Sequence, residues 1–245
     1  MSEYRLLPAG DTAIVVEFGD RIDRQLSARV LALARRLEGL ELNGVIESVP
    51  TFRSLMVHYD PLALPATILS ERIRMLIDGL QVTENAGRHW RLPACYDRQL
   101  APDLDDVSAR AGLSRDDVVE LHSGVTYHVY MLGFLPGQAY MGDVPRELAL
   151  PRRATPRLKV SAGSLAIADR MTCIFPMETP CGWHLIGRSP VALWEQSPLP
   201  RALLAPGDTV TFAPVSLREY EDLSVRAAAG LFRITPWSES VGAAA

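Results

Sequence analysis

The alternation of apolar and polar positions divides the chain into two unlike halves. Residues 11–18 (DTAIVVEF) form an apolar, β-branched run that ends at Gly19, and 23–37 then places Leu26, Val30, Leu33 and Leu37 at helical spacing. Positions 45–52 and 54–59 predict two further short strands, Pro61 and Pro65 punctuate, and Leu69, Ile73, Leu76 and Leu80 mark a second amphipathic helix. With a short strand at 4–7 the predicted order is ββαββα, an order that favours two helices on one face of a mainly antiparallel sheet. The polar stretch 83–89 predicts a linker, which sets an α+β two-layer domain over 1–85 apart from a second domain over 86–245.

Beyond the linker the pattern changes. Residues 102–111 and 115–122 predict two short helices, the first stopped by Gly112 and the second opened by Ser114, with Asp117 three residues on at capping-box spacing. A DNA-reading helix-turn-helix does not fit, because the second helix sets Asp116, Asp117 and Glu120 against the single base Arg115 and would repel phosphate. From Tyr127 onward short apolar runs at 127–132, 159–167, 172–176, 184–187, 191–194 and 210–215 alternate with glycine and proline turns. Short strands without intervening helices predict a mainly-β barrel or sandwich. Residues 242–245 (GAAA) read as a small mobile tail.

Composition narrows the partners. A chain of 245 residues, 48% of them hydrophobic, can bury two domain cores. Twenty-five Lys and Arg against 29 Asp and Glu leave a formal charge of -4, which argues against nucleic acid or an anionic membrane as the main partner and for small molecules or protein. The opening MSEYRLLPAGD lacks a basic segment followed by an apolar one, and no apolar run approaches the roughly 20 residues of a membrane span, so the expectation is a cytoplasmic protein. Cys95, Cys173 and Cys181 cannot all pair, and free thiols fit a reducing compartment.

Charge is uneven along the chain. Between Leu150 and Pro190 stand Arg152, Arg153, Arg157, Lys159, Arg170 and Arg188, against only Asp169 and Glu178. Arginine forks bind carboxylate or phosphate in two places at once, and Pro151 and Pro156 restrict the backbone that presents three of them. The alternative is a solvated basic loop that pairs with acids elsewhere. Gly163 lets a backbone approach a ligand closely and Ser164 adds a hydroxyl, but without a GxSxG elbow Ser164 reads first as a turn or hydrogen-bonding serine. Residues 133–137 (GFLPG) lack the spacing and lysine of a phosphate loop. Trp183 fits a ligand platform or barrel core equally.

Among the histidines, His58 lies in an apolar strand, His89 in the expected linker, His122 and His128 beside a turn, and His184 next to Trp183. No HxH, HExxH or CxxC occurs, so no dedicated zinc site is expected. His122, Ser164 and His184 are the catalytic candidates because they adjoin the irregular loops. Cys173 and Cys181 have no cationic or histidine neighbour at a diagnostic spacing that would activate a thiolate.

Taken in order, LLPAGDTAIVVEFGD, GVIESVPTFRSLMVHYDP, LPACYDRQLAPDLDDVSARAGLS with the following His122, YMLGFLPGQAYMG, LPRRATPRLKVSAGSLAIA, IFPMETPCGWHLIGRSP and LLAPGDTVTFAP resemble the KipI family. Its members are also described as the B-type subunit of 5-oxoprolinase or as allophanate hydrolase subunit 1, and the resemblance covers residues 4–216. It implies a small α+β domain followed by a cyclophilin-like β-barrel. It implies a role alongside a cyclophilin-like partner subunit and a third hydrolase subunit in ATP-dependent opening of 5-oxoproline, a lactam, to glutamate, with ATP and Mg²⁺ bound at the level of the complex. Activation of so poor an electrophile makes sense if ATP phosphorylates the amide oxygen, which requires anion stabilisation. Arg153, Arg157 and Arg188 are then candidates to hold phosphate or the substrate carboxylate, Gly163 and Ser164 to donate to developing negative charge, and Trp183 to line the site. The family's other reading is a regulator that docks on a sensor histidine kinase, and a urea- or allophanate-related amidohydrolase subunit is a further one. A prolyl isomerase by analogy to cyclophilin rests on fold alone. The chain departs from the family pattern at Gln138, Cys173 and Cys181, where an aromatic residue and two glycines are expected.

Overall fold

The computed structural model describes residues 4–82, 87–196, 199 and 201–237, so part of the expected linker (83–86) and the 242–245 tail lie outside the described residues. The chain divides into compact units Met1–Ala86 and Gly87–Ala245. In the first, the elements run β1 (Arg5–Pro8), β2 (Ala13–Glu17), α1 (Arg24–Glu38), β3 (Val45–Pro50), β4 (Ser54–Tyr59) and α2 (Ala66–Asp78). The strands form an antiparallel sheet in the order β1-β2-β4-β3. Asp23 starts α1 by accepting the N–H groups of Gln25 and Leu26, which satisfies donors that the first helical turn leaves unpaired. Val30, Leu33 and Leu37 of α1 and Leu69, Ile73 and Leu76 of α2 share a core with Ile14, Val16, Leu55, Val57 and Tyr59. The helical spacing of the apolar residues thus selects the faces that are buried.

The second unit contains β5 (His89–Cys95), α3 (Leu104–Ala111), α4 (Arg115–Ser123), β6 (Tyr127–Leu132), β7 (Ala139–Gly142), β8 (Arg157–Val160), β9 (Ser164–Ala168), β10 (Met171–Ile174), β11 (Thr179–Cys181), β12 (His184–Arg188), β13 (Trp194–Glu195), β14 (Arg201–Ala202), β15 (Thr209–Val215) and α5 (Leu217–Ala228). Seven strands close a barrel in the order β10-β7-β6-β15-β5-β12-β9, with β8 and β11 forming a separate two-stranded ribbon. The barrel fits the cyclophilin-like domain implied by the resemblance. Its interior is filled by Leu92, Val129, Met141, Leu165, Ile167, Ile186 and Val210, all fully buried. At the turn into β15, the buried Asp208 carboxylate accepts from Arg88 Nη2 at 2.9 Å, Trp90 Nε1 at 2.9 Å and the Ala205 amide at 3.0 Å. That network ties β5 to the β15 turn.

Four local expectations are corrected. His89 is not linker but the first residue of β5, which pairs in parallel with the whole of β15. The strand carries Pro93 and is almost wholly buried beyond Arg91, so the alternation of His89 to Leu92 breaks off after four residues. The single run expected over 159–167 is two strands, because Gly163, at φ +79°, turns the chain between β8 and β9. In place of a strand over 191–194, only Trp194 and Glu195 pair, with β14. The barrel strands are also followed by a helix, α5, which opens with a capping box between Ser216 and Glu219. None of the five α-helices among the described residues is long and apolar enough to cross a membrane.

Candidate functional site

The basic loop meets a carboxylate that the sequence pattern did not single out. Asp103 is the N-cap residue of α3, yet its side chain caps nothing in its own helix. Instead it accepts Arg153 Nη1 at 2.7 Å, Arg157 Nη1 at 2.8 Å, Arg157 Nη2 at 2.7 Å and the Leu185 amide at 2.7 Å. The Asp103 amide in turn donates to the Leu185 carbonyl at 3.0 Å, so α3 and β12 are stitched together at this point. Asp103 is only 3% exposed, and a carboxylate so far out of water requires this level of pairing. The acidic run Asp103, Asp105, Asp106 at a helix start was the available signal, and it reads as capping and dipole matching.

Around this ion cluster the 151–157 loop is held by its backbone. The Arg153 amide donates to the Gly182 carbonyl at 2.8 Å, and His184 Nε2 donates to the Pro151 carbonyl at 2.9 Å, which fixes the imidazole tautomer. The β8–β11 ribbon sets Arg157 opposite Cys181. Trp183, 7% exposed, packs edge-on against Tyr140 with centroids 5.9 Å apart, and the Arg152 guanidinium lies 5.9 Å from the indole. The basic loop and the tryptophan segment therefore form one cluster of Arg152, Arg153, Arg157, Asp103, Trp183 and His184. Two buried polar atoms of this cluster, Arg153 Nε and His184 Nδ1, have no hydrogen-bond partner among the described residues. Asp106 Oδ2 lies 3.8 Å from His184 Nδ1.

The remaining candidates fall elsewhere. Arg188 ends the strand that His184 begins, four residues and about 13 Å along it. Its Nε donates to the Ala162 carbonyl at 2.9 Å. Gly163 and Ser164 sit beside it with their amides spent inside the fold, Gly163 on the Phe175 carbonyl at 2.8 Å and Ser164 on the Ser161 carbonyl at 3.2 Å. Those two backbone amides are consequently not available as oxyanion donors in this conformation.

His122 is a core residue. Thr172 Oγ1 donates to the Ala166 carbonyl, so it accepts from His122 Nε2 at 3.1 Å, and His122 Nδ1 accepts the Tyr96 hydroxyl at 2.8 Å. The ring stacks on Phe212 with centroids 4.9 Å apart, and burial pushes its pKa down to about 3. A neutral imidazole with both nitrogens engaged and no solvent exposure has no route to a substrate, which removes His122 as an acid–base candidate. Burial also raises the thiols of Cys173 and Cys181, away from nucleophilic character. Gln138 is buried, and its Oε1 has no partner among the described residues.

The chain thus combines a closed barrel with an arginine loop clamped by Asp103. The carboxyltransferase domain family, subdomain C and D, matches residues 4–204, and the chain belongs to it. Within that family its relatives are more particular. It is 36% identical over 231 residues to the B-type subunit of 5-oxoprolinase from Bacillus subtilis, covering 89% of this chain and 95% of that protein. It is 38% identical over 217 residues to the corresponding 5-oxoprolinase subunit of Escherichia coli O157:H7, covering 87% and 97%. Among solved structures, TTHA0988 superposes with a TM-score of 0.73 at 35% identity over 83% of this chain, which spans 40% of that longer protein.

Proposed function

We propose that this chain is a subunit of an ATP-dependent 5-oxoprolinase that opens 5-oxoproline to glutamate, contributes part of the substrate or phosphate site, and is inactive alone. The observation that carries this reading is near full-length similarity, at 36% and 38% identity, to two proteins named as the B-type subunit of 5-oxoprolinase. A subunit so named implies partners, for which the family resemblance supplies a cyclophilin-like subunit and a third hydrolase subunit, all in the cytoplasm.

The donor set fits a shared site. Among the described residues no group of three or more His, Cys, Asp or Glu side chains converges to hold a metal ion. Arg153 and Arg157 already share Asp103. In the reading proposed here Mg²⁺–ATP is bound at the level of the complex, with partner subunits completing its site. What the residues of this chain offer is a positively charged, partly exposed edge that can bind and orient an anionic group beside Trp183.

Co-expression with the two candidate partner subunits, followed by measurement of ATP-dependent glutamate formation from 5-oxoproline, tests the reading. Activity is expected only when this chain is present, with loss in Arg157→Ala. Full turnover without this chain, or by this chain alone, would overturn it.

A further inference from the structure

We propose that Asp103 is a positioning residue that holds Arg153 and Arg157 as one unit and tunes that unit to the single negative charge of a carboxylate. The proposal rests on the 5-oxoprolinase reading for the identity of the ligand, and on geometry for the rest. Two guanidiniums share one carboxylate, so the pair keeps one net positive charge. The side chain of Asp103 is 5% exposed, whereas those of Arg153 and Arg157 are 28% and 27% exposed, so an incoming group meets the arginines and not the acid.

Asp103 is itself fixed from several directions. Its amide and its Oδ2 both bond Leu185 of β12, and its carbonyl accepts the Val107 amide as a first bond of α3. A carboxylate anchored to both a helix and a barrel strand is a rigid reference for the side chains bonded to it. The arginines use three terminal N–H groups on Asp103 and retain other terminal N–H groups, whereas Arg153 Nε is buried and takes no part. Those remaining donors, in a planar fork of fixed orientation, match a carboxylate. A phosphate dianion would find half the opposing charge it needs in this pair, and would have to draw the rest from Arg152 beside Trp183. The carboxylate of a lactam acid is the ligand this arrangement favours.

The test uses the reconstituted complex and the variants D103N, R153K and R157K. D103N keeps an acceptor for the Leu185 amide but frees the second positive charge. We expect the KM for 5-oxoproline to rise about tenfold or more, because the two guanidiniums lose the shared anchor that fixes their geometry, with kcat changed far less. Inorganic phosphate should inhibit D103N more strongly than wild type, a gain that simple structural damage does not produce. The double variant D103N/R157K should cost less than the sum of its single changes. A folded D103N with unchanged KM and unchanged phosphate inhibition would overturn the proposal, as would additive effects in the double variant. Absence of turnover in the wild-type complex counts against the 5-oxoprolinase assignment alone. In that case the guanidinium N–H resonances of Arg153 and Arg157 in D103N decide the positioning role, averaged side-chain signals with unchanged backbone amides supporting it and wild-type side-chain signals overturning it.

Discussion

Burial holds the His122 imidazole neutral, with a pKa of about 3 against an ordinary 6.5. In the unfolded chain the ring binds a proton below 6.5, so the unfolded state takes up more protons than the folded one between those values. The stability contributed by neutral His122 is therefore complete above pH 6.5 and is lost as pH falls, at about 1.4 kcal/mol per unit from this residue. Urea titrations between pH 7.5 and 4.5 should show that slope in the wild type and a shallower one in His122→Gln. The same burial governs the thiols. Cys95, Cys173 and Cys181 are all buried and free, and each is raised above the ordinary thiol range, chiefly by desolvation. A thiol reagent at neutral pH should label none of them in the native protein and all three in denaturant. Rapid native labelling of Cys181 would contradict the packing described around Trp183.

At the scale of elements, the turn between β8 and β9 depends on one glycine. A Cβ at Gly163 would stand 2.4 Å from the Ser189 carbonyl oxygen, and the residue is at φ +79°, so space and backbone conformation both exclude a side chain. Gly163→Ala should cost about 2 kcal/mol or more in chemical denaturation, since the obstructing atom is backbone and cannot rotate away. The start of α4 is a milder case. Ser114 and Asp117 satisfy each other's backbone amides reciprocally, as the Ser-x-x-Asp spacing predicts. Ser114→Ala should speed hydrogen exchange in the first turn of α4 and leave β12 unchanged. These two cases differ in legibility. The capping box is a local device readable from four residues, while the meaning of Gly163 depends on Ser189, the residue that follows β12.

At the scale of the molecule, Met1–Ala86 and Gly87–Ala245 each contain a separate apolar cluster. A fragment beginning at Gly87 should unfold cooperatively by itself, as measured by circular dichroism in urea, because its barrel closes within its own residues. A broad, non-cooperative transition would show that the barrel needs the first unit. The sequence by itself determined the helices α1 to α4, the strand-rich character of the second half and the family, since these are written in spacing, turn residues and long ordered motifs. It did not reveal β5, because the alternation of His89 to Leu92 is cut short by Pro93 and a continuous buried run. Nor did it divide the candidate site. Arg153, Arg157, Trp183 and His184 gather at one end of β12, while Arg188, Gly163 and Ser164 lie at the other, and His122 is in the core. Only the tertiary structure set Asp103 against the two arginines, 50 and 54 residues away in the chain. Charge pairing across such separations follows from how the barrel closes, and periodicity records which face of an element is buried without recording what it meets there.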